Sequence, residues 1–191
     1  MTSIIIETLT IPYKAELLDR WKEKNNDIVP SFMLDRKGPG VSNGYGFGEW
    51  MAEKYFRDQG YYIFNDTFDL ISKKSKYKQY NKMIKAIIDS NKFSRFAKLI
   101  TSNSLAGYNI ENPDLFVFNG EDKFFVEVKK GRDRLREPQI RFMYLAKEVL
   151  DIESKMVYFC DKSDEIKVEN IIYEFEIKID FRTESRQDIK Y

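Results

Sequence analysis

The chain has 191 residues, enough for one well-buried domain and too few for two comfortable ones. Its 32 basic and 31 acidic residues nearly cancel, so the total charge favours no class of partner. Because the sequence has no histidine and one cysteine, histidine triads, Cys-His nucleophiles, histidine-ligated metals and intramolecular disulfides are excluded, and catalysis would rest on carboxylates, lysines or hydroxyls.

The N-terminal part of the chain predicts a strand followed by a helix. Residues 3–11 are β-branched and apolar, which favours a strand that ends at Pro12. Residues 13–25 then carry apolar side chains at helical spacing. We expect this N-terminal extension, residues 1–36, to pack on one edge of a sheet as an extra layer.

A glycine-rich loop and a helix come next. Five of the nine glycines lie in residues 37–48. No strand clearly precedes this loop and no Gly-Lys-Ser/Thr follows it, so we favour a flexible loop over a phosphate-cradling one. Its Tyr45 and Phe47 would be available to stack on bases. Residues 48–60 predict a helix that stops at Gly60, and a short strand follows directly.

Residues 72–98 concentrate positive charge, because nine basic residues minus the single acid Asp89 give a net charge of plus eight. The rest of the chain then has 23 basic and 30 acidic residues, a net charge of minus seven. Apolar residues recur at helical spacing, which predicts one or two amphipathic helices with a basic outer face in an insertion over residues 72–104. That face suits contact with a phosphate backbone, and the alternative is a solvated lysine-rich surface. The candidate nucleic-acid-binding residues here are Lys73, Lys74, Lys76, Lys78, Lys82 and Lys85.

The most informative part of the sequence is a pair of short apolar runs, residues 115–118 and 124–128, on either side of the polar sequence Asn-Gly-Glu-Asp. This pattern predicts a β-hairpin. A loop of two or four residues places Asp114 opposite Glu127, whereas a tighter Asn-Gly turn places it opposite Phe125 with Glu127 still on the same face. In both registers the two carboxylates converge.

Both faces of this hairpin are otherwise apolar, which predicts central strands that are buried on both sides. Two carboxylates at the end of a buried hairpin repel each other unless a lysine or a metal ion compensates their charge. A hard divalent ion prefers oxygen ligands, and Asp114, Glu127 and the backbone carbonyl of Val128 would supply three. We therefore expect a hard divalent metal ion here. The alternative is a hairpin end at the surface with a Glu–Lys ion pair.

These residues resemble a known family. Pro-Asp at residues 113–114, followed by Glu-Val-Lys at residues 127–129, is similar to the signature of the PD-(D/E)XK nuclease superfamily, which has the restriction-endonuclease-like fold. The continuation over residues 131–139 resembles the VRR-NUC branch, in which a Gln opens the next helix and faces the site.

Carried over residue by residue, the resemblance implies five functional side chains. Asp114 and Glu127 would bind Mg²⁺ or Mn²⁺, and Lys129 would orient or deprotonate the attacking water. Gln139 would position the substrate or the lysine. The helix after the glycine-rich loop is similar to the first core helix of these nucleases, whose early Glu falls on Glu49 and contacts the metal directly or through water. The alternative for Glu49 is a solvated first-turn residue that the helix dipole favours.

Beyond the hairpin the sequence predicts a second basic group, a helix and two strands. Pro138 suits the first turn of a helix that runs to Leu150. Residues 156–160 predict a core strand, and apolar residues alternate from Ile171 to Ile179 in a final long one. The basic residues that we expect to add to nucleic-acid contact are Lys130, Arg132, Arg134 and Arg136.

The predicted order of helix, strand, insertion, strand, strand, helix and strand is that of the αβββαβ core of the restriction-endonuclease-like fold. We therefore expect one α/β domain over residues 1–191, with a central mixed sheet, the N-terminal strand-helix extension and the basic helical insertion. The N-terminus has no basic leader region, and no apolar run is long enough to span a membrane. We expect a soluble, cytoplasmic protein with no membrane partner.

The resemblance and the charge pattern together predict a divalent-metal-dependent nuclease that hydrolyses phosphodiester bonds, with DNA as the expected substrate. A structure-specific or junction-cleaving enzyme is among the expected types. Two other functions stay open: a nucleic-acid-binding module with a nuclease-like fold and no turnover, and an interaction protein whose basic insertion binds an acidic partner. Intact Asp114, Glu127 and Lys129 favour the enzyme. Many relatives in the family act as dimers, so a homodimer is among the expected assemblies.

Overall fold

The computed structural model describes residues 1–34, 40–65, 68–71, 74–102, 105, 107–161 and 165–179. The strands are β1 Thr2–Pro12, β2 Tyr62–Asn65, β3 Leu115–Phe118, β4 Lys123–Lys130, β5 Ser154–Cys160 and β6 Lys167–Phe175. The helices are α1 Ala15–Lys22, α2 Ser31–Leu34, α3 Phe47–Asp58, α4 Lys78–Ile87, α5 Ser90–Ile100 and α6 Glu137–Leu145, which a π-helical turn over Ala146–Leu150 extends. Short 3-10 turns lie at Val41–Asn43 and Ser75–Tyr77.

The six strands form one mixed sheet in the order β2-β3-β4-β5-β1-β6. Strands β2, β3 and β4 are antiparallel to one another, whereas β4 and β5 are parallel and α6 lies between them in the chain. Strand β1 is parallel to β5 and antiparallel to β6. The mixed α/β class and the central mixed sheet that the sequence predicts are confirmed.

Helices cover both faces of the sheet because β3 and β4 are apolar on both sides. On one face, Phe116 and Phe125 pack with Phe96 of α5 and Phe142 of α6. On the other face, Leu115, Val117, Phe124 and Val126 pack with Ala52 and Phe56 of α3. These two sets of side chains are the ones that the hairpin's alternation predicts. The even-numbered residues of β3 and the odd-numbered residues of β4 therefore point toward α6.

The N-terminal strand lies inside the sheet, which corrects the expectation of an extra layer on its edge. Strand β1 pairs with β5 from Glu7 to Pro12 and with β6 from Thr2 to Thr10, so neighbours on both sides satisfy its backbone. The final strand is also shorter than predicted at its C-terminal end. Its ladder with β1 finishes where Thr2 faces Phe175, so Ile177 and Ile179 lie beyond it.

The basic insertion forms the expected amphipathic helices, α4 and α5. Ile84, Phe96 and Leu99 are buried, whereas the basic side chains described between residues 74 and 98 are exposed. The single acid of the segment, Asp89, caps α5 by accepting hydrogen bonds from two backbone amides at 3.0 and 2.8 Å. Lys73 falls outside the described residues. No helix in the described part of the chain is long and apolar enough to cross a membrane.

Candidate active site

The hairpin brings Asp114 and Glu127 together in the first of the two expected registers. Leu115 pairs with Val126, so the residue before β3 faces Glu127 across the ladder. A four-residue loop fixes this register, because Oδ1 of Asn119 accepts hydrogen bonds from the backbone amides of the third and fourth loop residues at 2.8 and 2.6 Å. The convergence of the two carboxylates that the sequence predicts is confirmed.

Glu127 is buried and Asp114 is partly buried, and Lys129 is the nearest cation to the two carboxyl groups. Burial raises the pKa of Asp114 to about 6, although a hydrogen bond of 2.8 Å from the Val128 amide to its Oδ2 opposes the shift. Burial and the charge of Asp114 raise the pKa of Glu127 to about 8, against the opposing effect of Lys129. A cation placed between the two carboxyl groups would therefore stabilise their ionised forms.

The two oxygens of the Glu127 carboxylate differ in their surroundings. Oε1 accepts hydrogen bonds from Nζ of Lys129, at 2.9 Å, and from Nε2 of Gln139. Oε2 is buried and has no hydrogen-bond partner among the residues that the structure describes. The ammonium of Lys129 is itself buried and lies 3.6 Å from Oδ2 of Asp133. One oxygen is thus fixed by the protein, and the other is left available for a ligand.

Gln139 reaches the site from the first turn of α6, where the sequence predicts it. The helix begins at Glu137 with Pro138 in its first turn. Oε1 of Gln139 accepts a hydrogen bond of 3.0 Å from the Arg136 amide, and this orients the amide so that Nε2 faces Glu127. The side chain therefore caps its own helix and holds a carboxylate at the same time.

Helix α3 brings Glu49 to the same place from the other face of the sheet. Glu49 lies in the first turn of α3, and its charge contributes to the raised pKa of Asp114. The helix approaches β4 closely at Gly48, where an added Cβ atom would lie only 2.9 Å from Cγ1 of Val128. The absence of a side chain at Gly48 therefore permits this approach. The next glutamate of the helix, Glu53, is engaged by Arg57 at 3.2 Å and by the side-chain amide of Asn65.

Two residues expected to contact nucleic acid are turned into the fold. Lys130 is half-buried, donates a hydrogen bond of 3.3 Å to the Gly44 carbonyl and lies 5.2 Å from the ring centroid of Phe47. Burial lowers the pKa of this lysine. Phe47 is fully buried against Trp21 and Trp50, so it is not available to stack on bases. The expectation for Phe47 is therefore wrong, because the first residue of α3 packs in a core cluster with Trp21. The role of Lys130 in nucleic-acid contact stays a prediction.

The other basic residues after β4 remain at the surface. Arg132, Arg134 and Arg136 are exposed. Arg134 donates to the carbonyl of Asp133, and Arg136 forms an ion pair of 2.7 Å with Glu111. Arg132 and Arg134 thus stay accessible to an anionic partner, whereas Arg136 is already paired.

Sequence reasoning missed the structural role of Arg141. This buried side chain donates to the carbonyls of Glu176 and Asn109 at 3.0 and 3.2 Å and pairs with Glu137 at 3.0 Å. Arg141 thereby connects α6, which carries Gln139, to one segment that precedes the helix in the chain and to one that follows it. The local sequence holds no signal for this, because the two carbonyls come from distant parts of the chain.

An open cleft of about 780 Å³ reaches Asp114, and its lining also includes Glu49, Glu53 and Asn65 but not Glu127. Among the described residues, no group of three or more acidic or cysteine side chains lies together as a ready-made metal cage. Two carboxylates are nevertheless sufficient for Mg²⁺, which usually keeps several of its waters and binds through one or two carboxylates. The site can therefore accept a hydrated divalent ion from the cleft.

Comparison with known proteins finds no relative: no family model, no curated protein and no solved structure matches the chain. A function must therefore be argued from the chemistry of the site.

Proposed function

We propose that this protein is a divalent-metal-dependent nuclease of the PD-(D/E)XK type, similar to the VRR-NUC branch, that hydrolyses phosphodiester bonds in DNA. The observation that carries the proposal is that Asp114, Glu127 and Lys129 lie together, with Glu127 and Lys129 buried. One carboxylate oxygen of Glu127 has no hydrogen-bond partner among the described residues. A hairpin end that served only as structure would have no need of two mutually repelling carboxylates.

The order of elements supports the restriction-endonuclease-like fold. Helix α3, strands β2, β3 and β4, helix α6 and strand β5 follow one another in the chain as α, β, β, β, α, β. The two basic helices enter between β2 and β3, and β1 and β6 extend the sheet beyond β5. The carboxylates lie on β4 and directly before β3, the positions at which the family signature places them.

The residues fit Mg²⁺ or Mn²⁺ on chemical grounds. Asp114 and Oε2 of Glu127 offer hard oxygen ligands, and the pKa of each group is raised chiefly by burial, which Lys129 only partly offsets. The carbonyl of Val128 would supply a third ligand, and Glu49 would contact the ion directly or through water. When bound, the ion would lower the pKa of its water and stabilise negative charge on the phosphate.

The protein's own side chains orient this chemistry. Lys129 and Gln139 both donate to Oε1 of Glu127, which fixes the rotation of the carboxylate and keeps Oε2 as its ligand atom. The Lys129 side chain is held between Glu127 and Asp133, where it would orient the attacking water as an ammonium or, as a neutral amine, take up the proton of that water. Because these donors are buried, they need little reorganisation when the substrate binds.

The exposed basic residues of α4 and α5 support a nucleic-acid substrate. The described basic residues of this segment are Lys74, Lys76, Lys78, Lys82, Lys85, Lys92, Arg95 and Lys98. Lysines on a helix surface attract a phosphate backbone through counterion release. The cleft beside the carboxylates reaches this segment, because Tyr77 and Tyr80 contribute to its lining.

The test is cleavage of labelled linear duplex, single-stranded, flap and four-way-junction DNA, with RNA alongside, in Mg²⁺, in Mn²⁺ and in chelator. The matched variant is Glu127→Gln, which keeps the volume of the side chain and removes its charge. Metal-dependent cleavage by the wild type and its loss in the variant are expected. If no substrate is cleaved in either metal but gel shifts persist, the protein is a binding module without turnover. If nothing binds either, the basic helices serve a protein partner.

A further inference from the structure

Aromatic side chains line the cleft that leads to Asp114. Those that contribute to its lining include Phe32, Tyr45, Trp50, Tyr77 and Tyr80. Phe32 is 72% exposed and Tyr45 is 44% exposed, so both rings present a large area to solvent. Exposure of aromatic rings to water is unfavourable, so an exposed cluster of them usually marks a binding site. Rings gathered in one cleft beside a candidate active site indicate a ligand with flat apolar surfaces.

Tyr45 is held on a tight backbone turn. The residues on both sides of it, Gly44 and Gly46, have φ angles of 76° and 78°, a conformation that side chains with a Cβ rarely adopt. A Cβ atom at Gly46 would lie 2.5 Å from the terminal methyl of Met33. Nε1 of Trp21 donates a hydrogen bond of 3.0 Å to the Tyr45 carbonyl. The ring is therefore presented from a fixed backbone, which lowers the entropy lost on binding.

Positive charge lies beside another part of the aromatic lining. Tyr77 belongs to the basic insertion, where exposed Lys76 and Lys78 flank it in the chain. Nζ of Lys76 lies 4.5 Å from the ring centroid of Tyr77. Lys76 and Lys78 are not lining residues, but they place two exposed cations beside a tyrosine that lines the cleft.

This combination fits a single strand better than a duplex. The bases of a duplex stack on one another and pair, so their faces are not accessible to protein side chains. An unpaired strand exposes its base faces, and proteins bind it with aromatic platforms and basic residues that follow the backbone. The charged side chains among the described lining residues are four acids, Glu49, Glu53, Asp69 and Asp114, and one base, Arg57. The phosphates of a bound strand would therefore be met by the exposed lysines beside Tyr77 and not by the lining itself.

We propose that the cleft binds an unpaired segment of DNA, whose bases stack on Tyr45, Phe32 and Trp50 and whose phosphates lie against Lys76 and Lys78. The proposed nuclease would then act on DNA that contains a single-stranded part, such as a flap, an overhang or a free strand. This inference rests on the proposed function only for the position of the scissile phosphate near Asp114.

The test is equilibrium binding in chelator, so that cleavage plays no part. Fluorescence anisotropy compares one labelled single-stranded DNA with its blunt duplex and with RNA of the same sequence. We expect the single-stranded DNA to bind at least about tenfold more tightly than the duplex. Since stacking on an aromatic ring contributes about 1–3 kcal/mol per base, Tyr45→Ala and Phe32→Ala should each weaken binding roughly fivefold to a hundredfold.

Two controls separate stacking from loss of fold. Tyr45→Phe keeps the ring and should keep the affinity within about twofold. Tyr62→Ala removes a ring that is 69% exposed on β2 and does not line the cleft, so it should change nothing. Trp50 lines the cleft and is partly exposed, whereas Trp21 is fully buried. Single-stranded DNA should therefore quench the fluorescence of Trp50, and Trp50→Phe should remove that response.

The outcomes distinguish this inference from the proposed function. Equal affinity for duplex and single strand, or unchanged affinity in both alanine variants, would overturn the inference even if Glu127→Gln abolished cleavage. Tighter binding of RNA than of DNA would overturn the choice of DNA. Selective binding of single-stranded DNA that Tyr45→Ala weakens, without cleavage in any metal, would support the cleft assignment and overturn the nuclease.

Discussion

Nζ of Lys129 lies 2.9 Å from Oε1 of Glu127, and each side chain is 3% exposed. The charges of the site do not cancel, because Asp114 adds a second carboxylate beside this ion pair and its charge raises the pKa of Glu127. The lysine is therefore the nearest compensation that the protein itself provides for two negative charges. Its removal has consequences for both stability and catalysis.

We expect Lys129→Met to lower the free energy of unfolding by about 1–3 kcal/mol at pH 8 in chelator, because Oε1 of Glu127 loses a buried hydrogen bond and the carboxyl, whose pKa then rises further, must take up a proton. Metal-dependent cleavage should fall by about 10² to 10⁴-fold, the usual contribution of a positioned acid or base. Urea unfolding and initial cleavage rates measure the two effects.

The control for that variant is an exposed ion pair. Nζ of Lys147 lies 2.8 Å from Glu153, and both side chains are largely exposed. Lys147→Met should cost less than about 1 kcal/mol, since surface pairs contribute little. Equal losses in the two variants, or full activity in Lys129→Met, would contradict the role given to Lys129.

The stability of the metal-free protein should fall as pH rises from about 4 to about 8. Asp114 and Glu127 have folded pKa values of about 6 and about 8, above their ordinary values. The folded state therefore binds more protons than the unfolded state in this window, and the free energy of unfolding decreases with pH. The stabilising contribution is complete below the ordinary pKa and is lost as pH passes each folded pKa.

Thermal unfolding in chelator across this window measures the effect. A loss of 1 kcal/mol lowers Tm by about 2–4 °C in a protein of this size. Glu127→Gln should flatten the pH dependence, because it removes the group with the larger shift. Mg²⁺ should raise Tm more at pH 8 than at lower pH, because fewer protons then have to leave Asp114 and Glu127 when the ion binds. A wild-type Tm that rises between pH 5 and pH 8, with no difference in the variant, would contradict the assignment.

The hairpin and its carboxylates could be predicted because their determinants are local. Strand alternation assigns Asp114 and Glu127 to one face, and the polar loop between the apolar runs limits the register to two choices. Gln139 could be placed because Pro138 marks the start of its helix. In each case, residues within one supersecondary unit determine the geometry.

The features that could not be predicted depend on distant contacts. Strand β1 joins the sheet beside β5, whose residues lie more than a hundred positions later in the chain. Alternation does assign Lys130 to the face opposite Lys129, and that signal was present. What the sequence did not show is that the loop around Gly44 packs on this face and accepts the lysine's hydrogen bond.

The basic insertion should contact DNA phosphates through Lys76 and Lys78, which are exposed beside the cleft. We expect Lys76→Ala and Lys78→Ala each to weaken binding of all DNA sequences alike and to reduce the slope of log K against log salt by about 1. Titrations at several salt concentrations in chelator measure the slope. Lys167→Ala, an exposed lysine on β6, is the matched control and should leave the slope unchanged. If the three variants behave alike, the lysine-rich face is a solvated surface and not a binding site.

Gly48 is the point at which α3 approaches the catalytic strand, and a larger residue there should displace the helix. A Cβ atom at this position would lie 2.9 Å from Cγ1 of Val128, closer than real Cβ contacts. We expect Gly48→Ala to cost about 1–3 kcal/mol of stability in urea unfolding, as overpacking does, and to slow cleavage because Glu49 moves with the helix.

Gly120→Ala, where a Cβ would meet nothing within 4 Å, should be neutral in both measurements. Val128→Ala should remove the clash, so the double variant Gly48→Ala/Val128→Ala should lose less stability than the two single variants lose together. Additive losses would mean that the helix yields without straining Val128, and Glu49 would then not owe its position to this contact.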